Sequence, residues 1–318
     1  MDIEILLWLQ AVRDTVGSCF NSFFAFITMI AVDYYMLVPG LILFWAVDKK
    51  AGIFGLSSYG FSSLENAGLK SAFCVYRPWI RNSRLKPLPE VMSGATGYSF
   101  PSGHSSSTSG FYGGLIAYYK KYKALCVVFA IMVLITMFSR LYVGVHTPQD
   151  VLVGALTGIV AAFVVFFTDK LLQKRPNLDI VVLIVSLVLC ILVVIFIYYR
   201  KYPMDYVDGK LLVDPKKMTI GGFGDPGRFF GIMIGWFIER RFIKFDISGT
   251  NIQKVLRSFV GGLLFIFYWT VVVKPLGDLI NVGIAVFLLQ ASAPLLFMTV
   301  YPLIFKAIEN RKSKKAKA

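Results

Sequence analysis

The sequence predicts an all-α protein, a polytopic transmembrane helical bundle with about nine spans. Of the 318 residues, 57% are hydrophobic and only 16% are charged, and the mean hydropathy is +0.68. A soluble domain has about a quarter of its residues charged, so this chain has too few polar residues to cover a soluble protein. The apolar runs are continuous, as in 180–199, and reach the length of a membrane-spanning helix. A transmembrane β-barrel would instead alternate over segments of about 10 residues.

Nine apolar segments follow one another along the chain. They lie near 22–45, 52–76, 104–119, 125–143, 149–168, 180–199, 219–237, 255–273 and 279–304. We expect three regions: an N-terminal interfacial segment (1–21), a core of five consecutive spans (22–168), and additional transmembrane helices with a basic cytoplasmic tail (169–318).

The distribution of Lys and Arg predicts the orientation in the membrane. An odd number of spans places the two termini on opposite sides, and 19 of the 33 basic residues fall on the side of the C-terminus. Three of the other 14 are assigned to chemistry below, which leaves 19 against 11. The positive-inside rule then predicts a cytoplasmic C-terminus and an extracytoplasmic N-terminus. The net charge of +15 is explained by loops that face anionic lipids, and we expect no nucleic-acid partner.

The first group of polar residues is Lys70 and Arg77, at the end of the second span. They are seven residues apart, or two helical turns, so both project from one face, and Pro78 then ends the helix. A lysine within a span is costly in lipid and indicates a functional site. The alternatives are that Lys70 extends to the membrane surface or pairs with Glu65.

The second group, 98–104, has the sequence Tyr-Ser-Phe-Pro-Ser-Gly-His and opens the third span. Pro, Ser and Gly before an apolar run are typical of a helix start. The first N–H groups of a helix have no internal partner and the dipole is positive there, so this is a potential anion site. Gly103 allows close approach of the backbone, and His104 stands beside a bound anion. The alternative is a plain helix cap.

The third group contains Arg140, His146 and Asp150, around the turn between the fourth and fifth spans. Asp150 follows His146 by four residues at the start of a helix, so its carboxylate can reach the imidazole. A carboxylate on one ring nitrogen fixes the tautomer and leaves the other nitrogen free as a nucleophile. His104 and His146 are the only two histidines in the chain.

All three groups reach the same membrane face because the spans alternate in direction. Together they supply three cations, a helix N-terminus, two histidines and one carboxylate. This combination suits an electrostatic clamp for a phosphoryl group, with a nucleophile and an acid. The cations replace magnesium in neutralising the phosphate oxygens. The four cysteines lack the spacing of metal ligands, and we expect neither a metal nor another cofactor.

In this order, the motifs Lys-x6-Arg-Pro, Pro-Ser-Gly-His and Ser-Arg-x5-His-x3-Asp resemble those of the type 2 phosphatidic acid phosphatase superfamily. The matching positions are Lys70, Arg77, Pro78, Pro101, Ser102, Gly103, His104, Ser139, Arg140, His146 and Asp150. The resemblance covers residues 22–168, which become the expected phosphatase core. It implies a helical membrane core and metal-independent hydrolysis of phosphomonoesters or pyrophosphates.

The resemblance also implies a role for each site residue. His146 would attack phosphorus and form a phosphohistidine, Asp150 would orient and activate it, and His104 would protonate the leaving oxygen. The residues that would hold the phosphate oxygens are Lys70, Arg77, Ser102, Gly103 and Arg140.

The substrate stays open among three hypotheses. The first is a lipid phosphate in the outer leaflet: phosphatidic acid, phosphatidylglycerol phosphate, a sphingoid phosphate or undecaprenyl pyrophosphate. The second is the same chemistry on a soluble phosphate ester such as glucose 6-phosphate. Nine spans with an outer N-terminus resemble the glucose-6-phosphatase and sphingosine-1-phosphate phosphatase branches. The third is a transporter or lipid-flipping protein. The expected location is the cell membrane with an extracytoplasmic site, or the endoplasmic reticulum membrane with a lumenal site in a eukaryote.

Two series of small residues with a spacing of four predict faces for close helix packing. We assign them no chemistry. They are Ser106, Gly110 and Gly114 in the third span, and Gly227, Gly231 and Gly235 in the seventh.

Overall fold

The structure is a computed structural model that describes residues 2–30 and 34–315, with residues 18, 34 and 310–315 described by backbone alone. Residues 31–33, within the predicted span 22–45, lie outside the described chain. The α-helices of the described chain are α1 (Asp2–Val16), α2 (Ser18–Ile30), α3 (Tyr34–Ile42), α4 (Lys49–Phe73), α5 (Pro78–Arg81), α6 (Gly103–Tyr118), α7 (Lys123–Tyr142), α8 (Pro148–Lys174), α9 (Asp179–Tyr199), α10 (Pro215–Gly222), α11 (Gly224–Ile238), α12 (Asn251–Tyr268), α13 (Lys274–Leu279) and α14 (Gly283–Lys315).

Short irregular elements extend or connect these helices. A π-helical turn follows each of α3, α11 and α12, at Leu43–Val47, Glu239–Ile243 and Trp269–Val273. Two 3₁₀ turns lie at Pro89–Gly94 and Pro176–Leu178. One antiparallel hairpin pairs β1 (Tyr206–Val207) with β2 (Lys210–Leu211).

Five helical segments in the described ranges are long and apolar enough to cross a membrane, and the bent pair Cys19–Ile30 with Tyr35–Val47 would make a sixth. The five are Lys123–Tyr142, Pro148–Lys174, Pro176–Tyr199, Asn251–Leu279 and Gly283–Glu309. The prediction of an all-α protein that crosses the membrane several times is confirmed. The count of nine is not, because the predicted spans 52–76, 104–119 and 219–237 coincide with α4, α6 and α11, which fall outside this set.

The helices α4, α6 and α11 do not meet the criterion for a membrane-spanning helix because they are either short or polar. α6 and α11 have 16 and 15 residues, fewer than the roughly 20 that cross a bilayer. α4 has 25 residues, but many of those it buries are Ser and Gly. Its hydroxyl groups face protein rather than lipid, so α4 does not need the apolar surface that α9 has, where only 11% of the apolar window is buried.

The region after α9 differs from the prediction of an uninterrupted span over 219–237. The structure divides that span, since α10 ends at Gly222 and α11 begins at Gly224. The hairpin before it was not predicted, although its turn residues, Asp208 and Gly209, are typical of a two-residue hairpin. Both have positive φ, 48° and 71°, as a type I′ turn requires.

Close contact through small residues joins α4, α6 and α8. A Cβ atom built on Gly114 would lie 2.5 Å from the carbonyl oxygen of Phe54, so the backbones of α4 and α6 are in direct contact. The Ser106 hydroxyl donates to the carbonyl of Ser62 at 3.0 Å and lies 2.8 Å from the Thr157 hydroxyl in α8. The predicted small-residue face of the third span is therefore confirmed as a packing face.

The glycine series in α11 packs in the same way. Gly227 and Gly231 lie against the backbone carbonyls of Phe287 and Ala291 in α14, and Gly235 lies against Met298. This confirms the predicted packing face and identifies α14 as its neighbour.

The N-terminal helix α1 is attached at the end of the bundle that contains the C-terminus of α4. Arg13 is buried and donates to the carbonyls of Lys86 at 2.5 Å and Tyr142 at 3.4 Å. Arg81 pairs with Asp2 at 3.0 Å. These contacts place α1 beside the loop that follows α4.

We predict that Gly114→Ala destabilises the protein, because the new methyl group has no space between α6 and α4. Overpacking of this kind costs about 1–3 kcal/mol. Thermal unfolding of the purified protein in detergent measures the change. The matched control is Gly68→Ala in α4, whose new Cβ would meet only Val193 at an ordinary 3.8 Å. Equal melting temperatures for the two variants would contradict this account of the helix crossing.

Candidate active site

Lys70 lies in the last turn of α4, which ends at Cys74 in the left-handed conformation, with a φ of 49°. Its ammonium donates to the backbone carbonyls of Tyr98, Ser99 and Pro101, at 3.2, 3.4 and 2.8 Å. Three carbonyl acceptors match the three N–H donors of a charged lysine. Lys70 therefore lies inside the site and holds the loop before α6.

Arg77 holds the same loop from its other side. Its guanidinium donates to the carbonyls of Thr96 and Gly97, at 3.1 and 3.3 Å, and to Val145 at 3.0 Å. Nη1 also lies 3.0 Å from Nε2 of His146. Arg77 thus joins the first motif to the loop that carries the third.

The second motif forms the N-terminus of α6. Ser102 is the N-cap, and its hydroxyl accepts from the N–H of Ser105 at 3.3 Å, while Gly103 is the first helical residue. The Ser102 N–H donates to the carbonyl of Asp150 at 2.9 Å, which joins the starts of α6 and α8. His104 follows, partly exposed, within electrostatic range of Arg140 and the other site cations.

The third motif spans the end of α7 and the start of α8. Arg140 lies in the last turn of α7 and is 1% exposed. Its Nε atom has no hydrogen-bond partner within the described residues. After α7 the chain turns at Gly144, with a φ of 79°, and His146 follows, also 1% exposed.

Asp150 is held by the helix that it begins. Thr147 is the N-cap of α8, and the two residues form a capping box in which the Thr147 N–H donates to Oδ2 of Asp150 at 2.8 Å. Ser99 donates to the same oxygen at 2.5 Å. Nδ1 of His146 lies 3.5 Å from this oxygen and 3.3 Å from the Ser99 hydroxyl. The carboxylate and the hydroxyl therefore lie at the Nδ1 edge of the imidazole, and Nε2, on the other side of the ring, points toward Arg77.

Two residues of this arrangement, Ser99 and Thr147, were not assigned a role from the sequence. Thr147 could have been found, because Thr-Pro-Gln-Asp before an apolar run is a capping-box pattern. Ser99 lies within the second motif, but nothing in its spacing indicates that it reaches Asp150. The eight predicted site residues themselves lie together at one end of α4, α6, α7 and α8.

The connector between α9 and α10, residues 200–214, contacts the same end of α4. Arg200 donates to the carbonyls of Ser71 and Ala72, at 3.0 and 3.3 Å. These carbonyls are in the last turn of α4, where a cation also complements the helix dipole. The hydroxyl of Tyr202 donates to the Ser71 hydroxyl at 3.0 Å.

Aromatic residues continue this contact toward the loop before α6. The rings of Tyr98 and Tyr202 stack with centroids 6.1 Å apart. Tyr76, which precedes Arg77, donates to Asp205 at 2.7 Å. No pattern in the sequence indicates these contacts, because the partners are more than 100 residues apart.

The environment of His146 favours the neutral imidazole. Burial, followed by the nearby positive charges of Arg77, Arg140 and Lys70, lowers the pKa of His146 well below its ordinary value of 6.5. The unprotonated nitrogen that a nucleophile needs is therefore present at neutral pH, and it persists as the pH falls below 6.5.

The fold and the site define a class of protein, a helical membrane phosphatase, and two family models identify the family. The PAP2 superfamily model matches residues 52–174, and a model described as PAP2 superfamily phosphatase, transmembrane extension, matches residues 223–313. Together they span about two thirds of the chain. The chain belongs to the PAP2 superfamily, which confirms the resemblance carried by the three motifs.

Curated relatives are similar over about half of the chain. The undecaprenyl-diphosphatase BcrC of Bacillus subtilis is 29% identical over 175 residues, 52% of this chain and 82% of the relative. The phosphatidylglycerophosphatase B of Bacillus subtilis is 28% identical over 44% of this chain and 68% of the relative. The bacitracin transport permease protein BcrC of Bacillus licheniformis is 28% identical over 42% of this chain and 65% of the relative. No solved structure is a significant match.

We predict that His146 titrates below pH 6.5, and that Arg77→Gln raises its pKa by removing a positive charge beside the ring. NMR of histidine-labelled protein can measure this directly, because His104→Gln leaves His146 as the only histidine. The protein must be purified through a histidine-free tag. Arg81→Gln is the matched control, since Arg81 pairs with Asp2 outside the site. A pKa at or above 6.5 in the protein with Arg77 intact would refute this electrostatic account.

Proposed function

We propose that this protein is a metal-independent lipid phosphatase that hydrolyses lipid phosphate monoesters or lipid diphosphates through a phosphohistidine on His146. The observation that carries the proposal is the excess of buried positive charge beside an oriented imidazole. Among the eight site residues, Lys70, Arg77 and Arg140 are cations, and Asp150 is the only carboxylate. Burial lowers the pKa of Arg77 only to about 10, so Arg77 remains charged at neutral pH.

By formal count this is an excess of two positive charges, and a phosphate monoester carries about −1.5 to −2 at pH 7. Arg140 supplies the most direct contact, because its buried Nε has no partner among the described residues. An unpaired buried donor costs about 1–3 kcal/mol, and an anion would remove that cost. Gly103 contributes a backbone N–H at the start of α6, and Ser102 holds that helix start in place.

The proposed reaction uses the two histidines in turn. Nε2 of His146 attacks phosphorus, the bond from phosphorus to the leaving oxygen breaks, and His104, protonated when the bound phosphate offsets the site cations, donates its proton to that oxygen. Water then attacks the phosphohistidine, His104 accepts the proton of the water, and the phosphate leaves. Asp150 stabilises the positive imidazole during both steps, and Ser99 holds the carboxylate.

A lipid substrate is supported by the setting and by the relatives. The site lies at one end of helices that cross the membrane, and two relatives are named for phosphorylated lipids, undecaprenyl diphosphate and phosphatidylglycerophosphate. The alternative of a soluble ester requires the same chemistry and differs only in what enters the site. One relative is named as a transport permease, so transport is retained as an outcome of the test.

For the membrane arrangement we propose nine spans, with α4, α6 and α11 crossing as interior helices and the bent α2–α3 pair crossing once. The site and N-terminus then lie outside and the C-terminus in the cytoplasm. The attachment of α1 beside the site supports this, because it puts the N-terminus at the same end. Trp8 is 64% exposed on α1, which suits the interfacial segment proposed for residues 1–21. The phosphatase core is 22–168, and 169–318 adds further spans.

We predict that the purified protein releases phosphate from a lipid phosphate or lipid diphosphate in the presence of a strong chelator, because the site cations supply the charge neutralisation. A panel of phosphatidic acid, a polyprenyl diphosphate and glucose 6-phosphate, with His146→Ala as the blank, measures this. Release from the sugar phosphate alone would show that the substrate is a soluble ester rather than a lipid. Loss of activity that magnesium restores would refute the mechanism, and no release from any substrate would favour transport.

We expect replacement of the two histidines to impair the reaction in different ways. His146→Ala should abolish both turnover and the trapped, base-stable phosphoenzyme. His104→Ala should lose about 10²–10⁴-fold with alkyl phosphates, the usual contribution of a general acid. An aryl phosphate should recover much of that rate, because its phenolate leaves without a proton. A phosphoenzyme in His146→Ala, or equal losses for alkyl and aryl substrates in His104→Ala, would show that the roles are assigned wrongly.

A further inference from the structure

A cavity of about 1,000 Å³ lies between α8 and α9, with α4 and α11 behind it. The two helices are joined by a short 3₁₀ turn but hardly touch along their lengths. Lining residues on both of them are exposed, among them Val164, Val185 and Leu189. The cavity therefore opens sideways, toward the lipid that surrounds the bundle.

This cavity lies at the opposite end of α4 from the phosphatase site. Lys49, at its rim, is 21 residues before Lys70, or about 31 Å along a helix. That distance is close to the roughly 30 Å thickness of the hydrocarbon core. The deepest lining residue on α4 is Phe61, about 18 Å from Lys49 by the same rise. The cavity thus spans about one leaflet, the leaflet that the active site does not face.

The lining changes from charged to apolar with depth, as the surroundings of a phospholipid do. The inner part is formed by apolar side chains on all four helices. These include Ile53, Phe61, Val165, Val182, Leu189, Phe229 and Met233. The charged side chains of the lining lie at the end of α4 that begins with Lys49. These are Lys49, Lys50, Asp169, Glu239, Arg240, Lys244 and Asp246.

The rim has four basic and three acidic side chains, and most of them are paired. Lys49 pairs with Glu239, and Lys50 pairs with Asp169 at 2.9 Å. Arg240 pairs with Asp179 at 3.2 Å. No such pair involves the exposed Lys244 among the described residues. Among the described residues, Lys244 and the carboxylate of Asp246 therefore remain at the rim without an ion pair, one positive and one negative group.

We propose that this cavity is a binding site for one phospholipid of the leaflet opposite the active site. One acyl chain lies between α8 and α9, and the phosphate lies at Lys244. The bound lipid fills the space between α8 and α9, which hardly touch each other. It stabilises α9, which is otherwise attached on one side only. This site is separate from the phosphatase chemistry and does not depend on it.

The test uses a phospholipid with a diazirine at the end of one acyl chain, reconstituted with the full chain in nanodiscs. After irradiation, mass spectrometry maps the labelled residues. Phe229 and Met233 are buried behind α8 and α9, so bulk lipid cannot reach them. We expect labels on these two residues. Labels confined to outward residues of α9, such as Leu192, would overturn the proposal.

A matched pair of variants on α9 tests the position of the chain. Ser186→Trp fills the cavity and should reduce labelling of Phe229 and Met233 to background. Ile184→Trp adds the same ring on the exposed face of the helix, outside the lining, and should leave labelling unchanged. Val185→Phe provides a smaller filling change if the first variant folds poorly. Unchanged labelling in both filling variants would overturn the proposal.

The headgroup and the source of the chain are tested separately. Labelling should weaken in Lys244→Gln, because this variant removes the cation that holds the phosphate. Unchanged labelling in Lys244→Gln would refute this position of the headgroup. Labelling should also be the same in His146→Ala and when a polyprenyl diphosphate is added. A loss on adding that compound would show that the cavity holds the tail of a substrate instead, which would overturn this proposal but leave the proposed phosphatase activity intact.

Discussion

Buried positive charge is the constraint on which the site depends. Lys70, Arg77 and Arg140 lie at one end of the bundle, and a charge inside a protein is costly unless it is paired and hydrogen bonded. Backbone carbonyls satisfy the first two cations, which ties residues 96–101 to α4 and fixes the start of α6. Asp150 compensates part of the charge and caps α8 at the same time. Arg140 keeps a buried donor without a described partner, so an anion gains most there.

Helix packing explains why fewer helices meet the apolar-length criterion than there are apolar segments in the sequence. The lipid-facing helices α7 and α9 bury 17% and 11% of their apolar windows and are apolar throughout. α4 and α6 meet through Gly and Ser, because small side chains let the backbones touch. The same Gly and Ser residues that let α4 and α6 pack in the interior also lower the hydropathy of these two helices. A criterion based on apolar length therefore passes over the helices that carry Lys70 and His104, although their small-residue spacing was visible.

The sequence predicts those features of the site that depend on residues close together in the chain. Each motif is a short segment at a helix end, so spacing alone placed Asp150 near His146 and Ser102 at the start of α6. What spacing could not supply is the pairing between segments. Lys70 and Arg77 donate to carbonyls, which have no side-chain signal. Ser99 contacts a carboxylate 51 residues away, which only the tertiary fold brings within reach.

Some residues that hold the site lie outside the part of the chain that matches the first family model, in the connector after α9. Arg200 and Tyr202 lie beyond residue 174, where that match ends, and before residue 223, where the second begins. Both hold Ser71, which follows Lys70 in the last turn of α4. A cation at the C-terminus of a helix also stabilises that turn. The connector that leads into the C-terminal helices thus holds the turn that carries Lys70, and it joins the two matched parts of the chain.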